Sequence, residues 1–207
     1  LMGWPLVSAD IPTAFLQGER LEGEVTSEGE SREAYMVPPE DSWSLLPKNW
    51  RLGPRMNWND YVWRLLVAVY GLKDAPLMWV MELFRWLRED LLMHVQGQDY
   101  RFIQSFYDES TWYLRSSTNQ LLAMLTVHVD DLGLATARPL ITQFREKAEA
   151  RFGKMKLQEG SFSHVGRDYE KLATGGYRVG HQTYLKSQLP EPVEGRLCDP
   201  LKRSRLH

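Results

Sequence analysis

The sequence has a single cysteine, Cys198, in 207 residues. No disulfide can form within the chain, and the count suits a reducing compartment. A long apolar run is also missing. No stretch approaches the roughly 18–20 residues that a membrane-crossing helix needs, so no membrane partner is expected. An excess of either charge is missing too: 25 Lys and Arg face 27 Asp and Glu, for a formal net charge of −2. Nothing global advertises a polyanionic partner, although a near-neutral total accommodates a local basic groove. No internal repeat is visible, and the opening residues do not read as a basic-then-apolar secretion signal. They read as structure from Leu1 onward, so a domain cut from a longer protein is the expectation.

What is present describes a packed protein. Hydrophobic residues make up 43% and charged residues 25%, the balance of a soluble globular chain. Eight Trp and nine Tyr argue for a core rather than disorder. The length suits one sizeable core with a small appendage.

The chain divides by pattern. Residues 4–18 read as a short strand ending in a turn-rich segment, and 19–34, rich in Glu, Gly and Ser, as a loop. Residues 35–60, with four prolines, suggest an irregular connection. Residues 61–69 are dense in β-branched and aromatic side chains and predict a strand. A turn follows, and Pro76 then opens a predicted helix over 76–93, with Glu82, Arg85 and Glu89 on one polar stripe. Segments 111–115 and 120–129 flank Ser116–Asn119 as a hairpin. Asp130 and Asp131 form the next turn, and 132–136 returns as a strand. Residues 139–152 predict an amphipathic helix with Leu140, Ile141, Phe144, Ala148 and Phe152 inward. Gly175-Gly176 divides a further hairpin over 162–172 and 177–180, and 182–189 reads as a short helix. The fold class is therefore α+β, an antiparallel sheet with helices packed on one face.

Asp130 and Asp131 interrupt an otherwise apolar run, LLAMLTVHVDDLGLA over 121–135. A buried carboxylate is costly unless paired or bound to a cation. At a turn both can project from a rigid sheet edge, which suits a metal site. Hard divalent cations take oxygen ligands and share their coordination with waters and phosphates. Asp10, after the apolar strand 6–9, is the best third carboxylate. Strands 4–10 and 121–129 lying side by side would bring all three to one end. The bland readings are an Asp-Asp turn that is merely solvated, an ordinary Asp before Pro12, core roles for Phe15 and Leu16, and a plain strand-to-helix turn at 70–73.

Three blocks then carry a resemblance. Asp10-Ile-Pro-Thr-Ala-Phe-Leu-Gln-Gly18 resembles a D-V-x-T-A-F-L-N-G motif, followed by Ala34-Tyr-Met-Val-Pro-Pro-Glu40, similar to Y-M-x-Q-P-x-G. Val69-Tyr-Gly-Leu-Lys-Asp-Ala-Pro76 with Trp79 resembles L-Y-G-L-K-Q-A-P-R-x-W, and Val127-His-Val-Asp-Asp-Leu132 resembles Y-V-D-D-I/L. Weaker matches run through 139–152 and Ser163–Gly166. In that order the blocks resemble the reverse transcriptase domain of copia-type long-terminal-repeat retrotransposons, over nearly the whole chain. The chain departs from the pattern at His128 for Tyr, Asp74 for Gln, and Pro12.

The resemblance implies a polymerase palm-like sheet, with the fingers region truncated, over residues 1–189. Residues 190–207 would be a tail or the start of a connection segment. It implies an RNA-directed DNA polymerase that transfers a nucleotide from a dNTP to a primer 3′-hydroxyl. Asp10, Asp130 and Asp131 would be its catalytic carboxylates: Asp10 and Asp130 would bind two Mg2+ (or Mn2+) ions with help from the Ile11 carbonyl, and Asp131 would be a less direct third ligand. Thr13 and Ala14 would hold the triphosphate through their N–H groups. Phe15 would lie under the sugar and reject a 2′-hydroxyl. Tyr70 and Lys73 would line the nucleotide and template side, and 162–180 would grip the primer. Expected partners are an RNA or DNA template with primer, dNTP, and the integrase and ribonuclease H of the same polyprotein. The expected location is a cytoplasmic virus-like particle or the nucleus, not the secretory route. The alternatives are a catalytically inactive remnant of such an element and a carboxylate-based phosphohydrolase or nuclease. The last requires a water-activating base and a second acidic cluster, which the sequence does not display.

Overall fold

A computed structural model describes residues 3–21, 33–50 and 60–188 of the chain. These divide into two compact units that part between Glu159 and Gly160. The predicted tail 190–207 lies outside the described residues, as does most of the predicted loop 19–34.

The first unit is built on a six-stranded sheet. Its strands are β1 (Leu6–Asp10), β6 (Phe102–Gln104), β7 (Thr111–Arg115), β8 (Leu121–His128), β9 (Asp131–Thr136) and β10 (Lys156–Glu159). Labels β2 (Tyr35–Met36) with β3 (Trp63–Arg64), and β4 (Met93–Val95) with β5 (Gln98–Tyr100), belong to two small two-stranded sheets. The large sheet is ordered β10-β1-β9-β8-β7-β6, and all its pairs are antiparallel.

The alternation of side chains along each strand puts one residue set inward. Val7 and Ala9 on β1 align with Leu134 and Leu132 on β9. These align with Leu125 and Val127 on β8, and Leu125 meets Trp112 on β7. All are buried. Two helices cover that face: α1 (Ala75–Arg85) and α2 (Arg138–Phe152). Helix α1 buries Ala75, Met78, Trp79, Glu82 and Leu83. Trp86 and Leu87, next in line, are buried in a π-helical turn over Trp86–Asp90. The spacing i, i+3, i+4, i+7, i+8 is that of one helical stripe. Helix α2 contributes Leu140, Ile141, Phe144, Ala148 and Phe152 to the same cluster, as its sequence pattern predicts.

Several expectations are corrected. Among the described residues the predicted strand 61–69 is paired as a strand only at Trp63–Arg64, with an isolated bridge from Val67 to Arg20. The predicted helix 76–93 gives way to the π-helical turn after Arg85, and Met93 already begins β4. Glu82 does not lie on a solvated stripe. It falls on the buried side, 6% exposed. Arg85 grips it through Nε at 3.0 Å and Nη2 at 2.8 Å, and Arg151 of α2 donates to the same carboxylate. Burial pushes the Glu82 carboxyl up, but the two guanidiniums outweigh it and hold it below the usual range. The ion triad thereby ties α1 to the end of α2.

The second unit holds β11 (Phe162–His164), β12 (Arg167–Lys171), β13 (Tyr177–Gly180) and α3 (Gln182–Gln188). The predicted single hairpin is a three-stranded sheet, because Val165-Gly166 makes an extra turn with both residues at positive φ. Phe162 and Tyr169 stack at 5.2 Å. Asp168 accepts the Thr183 N–H at 2.8 Å, which holds its carboxyl below the usual range.

Candidate functional site

The inward row of the large sheet fixes its opposite face. If Ala9, Leu132, Val127 and Leu157 point toward the core, their neighbours Asp10, Asp131, His128 and Lys156 point the other way. The register lines those four up: Lys156 opposite Asp10, Asp10 opposite Asp131, and Asp131 opposite His128. One cross-strand row therefore reads Lys, Asp, Asp, His. Residues so placed have Cα atoms about 4.5–5.5 Å apart, and like charges directly opposite destabilise a sheet. The two carboxylates share the centre of the row, with a cationic or titratable side chain on each flank.

Asp130 reaches this place through a two-residue turn. Strand β8 ends at His128 and β9 begins at Asp131, so Val129 and Asp130 alone make the connection. The expected Asp130-Asp131 turn is thus displaced by one residue, and Asp131 belongs to the strand. Strand β1 also pairs with β9 rather than β8. The expected neighbourhood of 4–10 and 121–129 is corrected by the strand between them.

The turn is held from below. The Ile11 N–H donates to the Asp130 carbonyl at 3.2 Å. The indole N–H of Trp79 donates to the Val129 carbonyl at 2.8 Å. Val129 has φ 56°, a left-handed conformation that a β-branched residue rarely adopts.

The segment after β1 turns sharply into a short 3-10 helix over Ala14–Gln17. Thr13 stands before it at φ 52°, its hydroxyl donating to the Pro12 carbonyl at 2.7 Å. Ala14 is buried. The Gln17 amide donates to the Pro12 carbonyl and to the Phe152 carbonyl, each at 2.9 Å. Gly18 presses on α1: a Cβ there would lie 3.1 Å from the Trp79 backbone nitrogen. Phe15 meets Tyr70, ring centroids 4.5 Å apart. Tyr70 sits in a turn closed by the Leu72 N–H on the Val69 carbonyl, with Gly71 at φ 102°. That conformation suits glycine alone at the third position of the turn. Lys73 is exposed just beyond it.

The structure thus brings Asp10, Ile11, Asp130 and Asp131 together at one end of the sheet, and joins Phe15 to Tyr70. Thr13 and Ala14 stand three and four residues after Asp10 in the chain. Sequence reasoning did not assign roles to Trp79, Gln17 or Lys156. Trp79 was visible as the last residue of the second block. Lys156 carried no signal, since its strand is short and charged.

The donors suit a hard cation. Carboxylate oxygens are the ligands that Mg2+ and Mn2+ prefer, and Mg2+ commonly uses one or two carboxylates and completes its shell with water and phosphate. Among the described residues no group of three or more His, Cys, Asp or Glu is assembled to hold a metal ion. The arrangement is an in-register carboxylate pair, Asp10 and Asp131, with Asp130 in the adjoining turn, rather than a closed protein cage.

No family model and no solved structure matches this chain. Over 132 residues, 64% of the chain, it is 26% identical to the "Putative transposon Ty5-1 protein" of Saccharomyces cerevisiae. The match spans 39% of that relative's length. The chain is therefore similar to a transposon-related protein. Among the described residues no helix is long and apolar enough to cross a membrane.

Proposed function

We propose that this chain is the reverse transcriptase domain of a copia-type retrotransposon polyprotein, a palm-like fold that transfers a nucleotide from a dNTP to a primer 3′-hydroxyl. The carrying observation is the cross-strand pair Asp10–Asp131 with Asp130 in the adjoining tight turn. Similarity to a transposon protein supports the same reading. In this reading Asp10, Asp130 and Asp131, with the Ile11 carbonyl, hold two Mg2+ or Mn2+ ions. Bound there, such ions would polarise phosphoryl oxygens and make the primer hydroxyl a better nucleophile. The N–H groups of Thr13 and Ala14 hold the triphosphate. Phe15, braced by Tyr70, lies under the deoxyribose and excludes a 2′-hydroxyl. Lys73 attracts phosphate from its exposed turn. Residues 162–180 grip the primer, and the integrase and ribonuclease H of the polyprotein are the natural partners. A cytoplasmic virus-like particle or the nucleus is the place of action.

A second reading has one observation in its favour. The carboxylates do not form a three-member metal group among the described residues, which fits an inactive palm-fold remnant. Primer extension separates the two. The chain is incubated with an oligo-dT primer on poly-A, dTTP, and Mg2+ or Mn2+. Extension that Asp130→Asn abolishes supports the polymerase. Absence of extension with both ions favours the remnant.

A further inference from the structure

Trp79 is buried completely, and most of its contacts look structural. Its ring meets Phe152 edge-on at 5.3 Å, and Gly18 packs on its backbone. The indole N–H does something a packing residue does not need to do. It reaches the carbonyl of Val129 at 2.8 Å, fifty residues away in sequence. That carbonyl belongs to the residue held at φ 56° immediately before Asp130. The next carbonyl, that of Asp130, takes the Ile11 N–H. Both carbonyls of a strained two-residue turn are thus fixed from outside the hairpin.

We infer that Trp79 is a positioning residue: its indole N–H locks the Val129 peptide and so fixes the turn that carries Asp130 at the Asp10–Asp131 end of the sheet. A β-branched residue in the left-handed region relaxes unless its surroundings hold it. A two-residue connection leaves little room to relax without turning the Asp130 side chain. Trp79 also couples this turn to the segment after β1, because Gly18 approaches the same residue of α1 closely. The 13–18 segment and the turn before Asp130 therefore meet at one residue of α1, the first at its backbone and the second at its indole. The functional sense rests on the cation reading above. The lock itself does not.

Trp79→Phe keeps an aromatic ring and removes the donor. Trp86→Phe is the control, since Trp86 is equally central but packs on Phe144 and Phe152. Hydrogen exchange by mass spectrometry on the full chain reads the lock without any metal. Trp79→Phe is expected to speed exchange at least fivefold in the peptides holding Ile11 and residues 128–132, while Trp86→Phe leaves both near wild type. Gly18→Ala, which pushes on Trp79 from its backbone side, is expected to act in the same direction. Mn2+ titration followed by the signal of the free ion reads the consequence. Affinity is expected to fall about tenfold in Trp79→Phe, the size of effect that outer partners of metal ligands have, and to be lost in Asp130→Asn. Unchanged exchange at the turn in Trp79→Phe overturns the lock. Faster exchange with unchanged Mn2+ affinity overturns its positioning role. A wild-type chain that binds no Mn2+ overturns the cation reading instead, and the exchange result then stands alone.

Discussion

Strand β8 has a turn at each end, and the two are held in opposite ways. The turn from β7 is closed by its own residues. Ser116 N–H donates to the Gln120 carbonyl, Asn119 N–H to the Ser116 carbonyl, and Gln120 N–H to the Ser116 hydroxyl. Its left-handed residue is Asn119, at φ 65° and exposed, a type that tolerates this conformation well. The turn to β9 puts Val129 in the left-handed position and draws its fixing bonds from Ile11 and Trp79, on two other elements. The first turn follows local chemistry. The second is imposed by the fold, and it carries a carboxylate. Strain retained at one hairpin end, while the other end is relaxed, is the observation on which the proposed positioning role of Trp79 rests.

The largest expected break in this comparison is Trp79→Ala. Removing a fully buried tryptophan costs about 3–5 kcal/mol, and urea unfolding should show it, whereas Asn119→Ala should stay within about 1 kcal/mol. Next comes Glu82→Gln, which loosens the attachment of α1, and with it Trp79, to α2. Leaving two guanidiniums facing a neutral side chain should cost about 2 kcal/mol, below the range for a fully buried pair because both arginines reach solvent. The same residue sets a pH dependence. Its carboxyl is held below the usual range in the fold, so its stabilisation is complete above the unfolded value of about 4.3. It is lost as pH falls through the lower folded value. Acid titration of stability should therefore be shallower in Glu82→Gln than in wild type below about pH 4.

Exchanging the two left-handed residue types sharpens the contrast further. Asn119→Val should cost about 1–2 kcal/mol, the penalty of a side chain with Cβ branching in that region. Val129→Asn should change stability by less than about 1 kcal/mol, since relief of strain offsets lost contact with the core. If Val129→Asn instead destabilises as much as Asn119→Val, the strain at Val129 is not real. Thermal or urea unfolding of the pair decides it.

Much of the architecture was legible in the chain itself. The alternating apolar residues of 121–136 and the turn residues 116–119 specified the hairpins, because a period of two and local turn chemistry need no distant partner. The stripe of α2 was likewise readable in advance. Motif order pointed to Asp10 and Asp130-Asp131 as one group. Other features depended on neighbours. The stretch 61–69 has strand propensity, but among the described residues it pairs as a strand only with Tyr35–Met36, with a single bridge to Arg20, and propensity alone does not extend a ladder. Glu82 reads as a surface residue until Arg151 arrives from α2, 69 positions away. The one-residue shift of the turn follows from the pairing of β8 with β9, which also places His128 on one flank. The register of β1 with β9 puts Asp131 rather than Asp130 opposite Asp10, and its register with β10 puts Lys156 on the other flank.

The sequence by itself determined which residues alternate, where the hairpin at 116–119 closes and which carboxylates are available, since these follow from local periodicity and side-chain chemistry. Only the tertiary structure decided which carboxylates face each other and what holds Val129 in its strained conformation. Those depend on strand order and on an indole that reaches the turn from another element, and neither is written in any one stretch of chain.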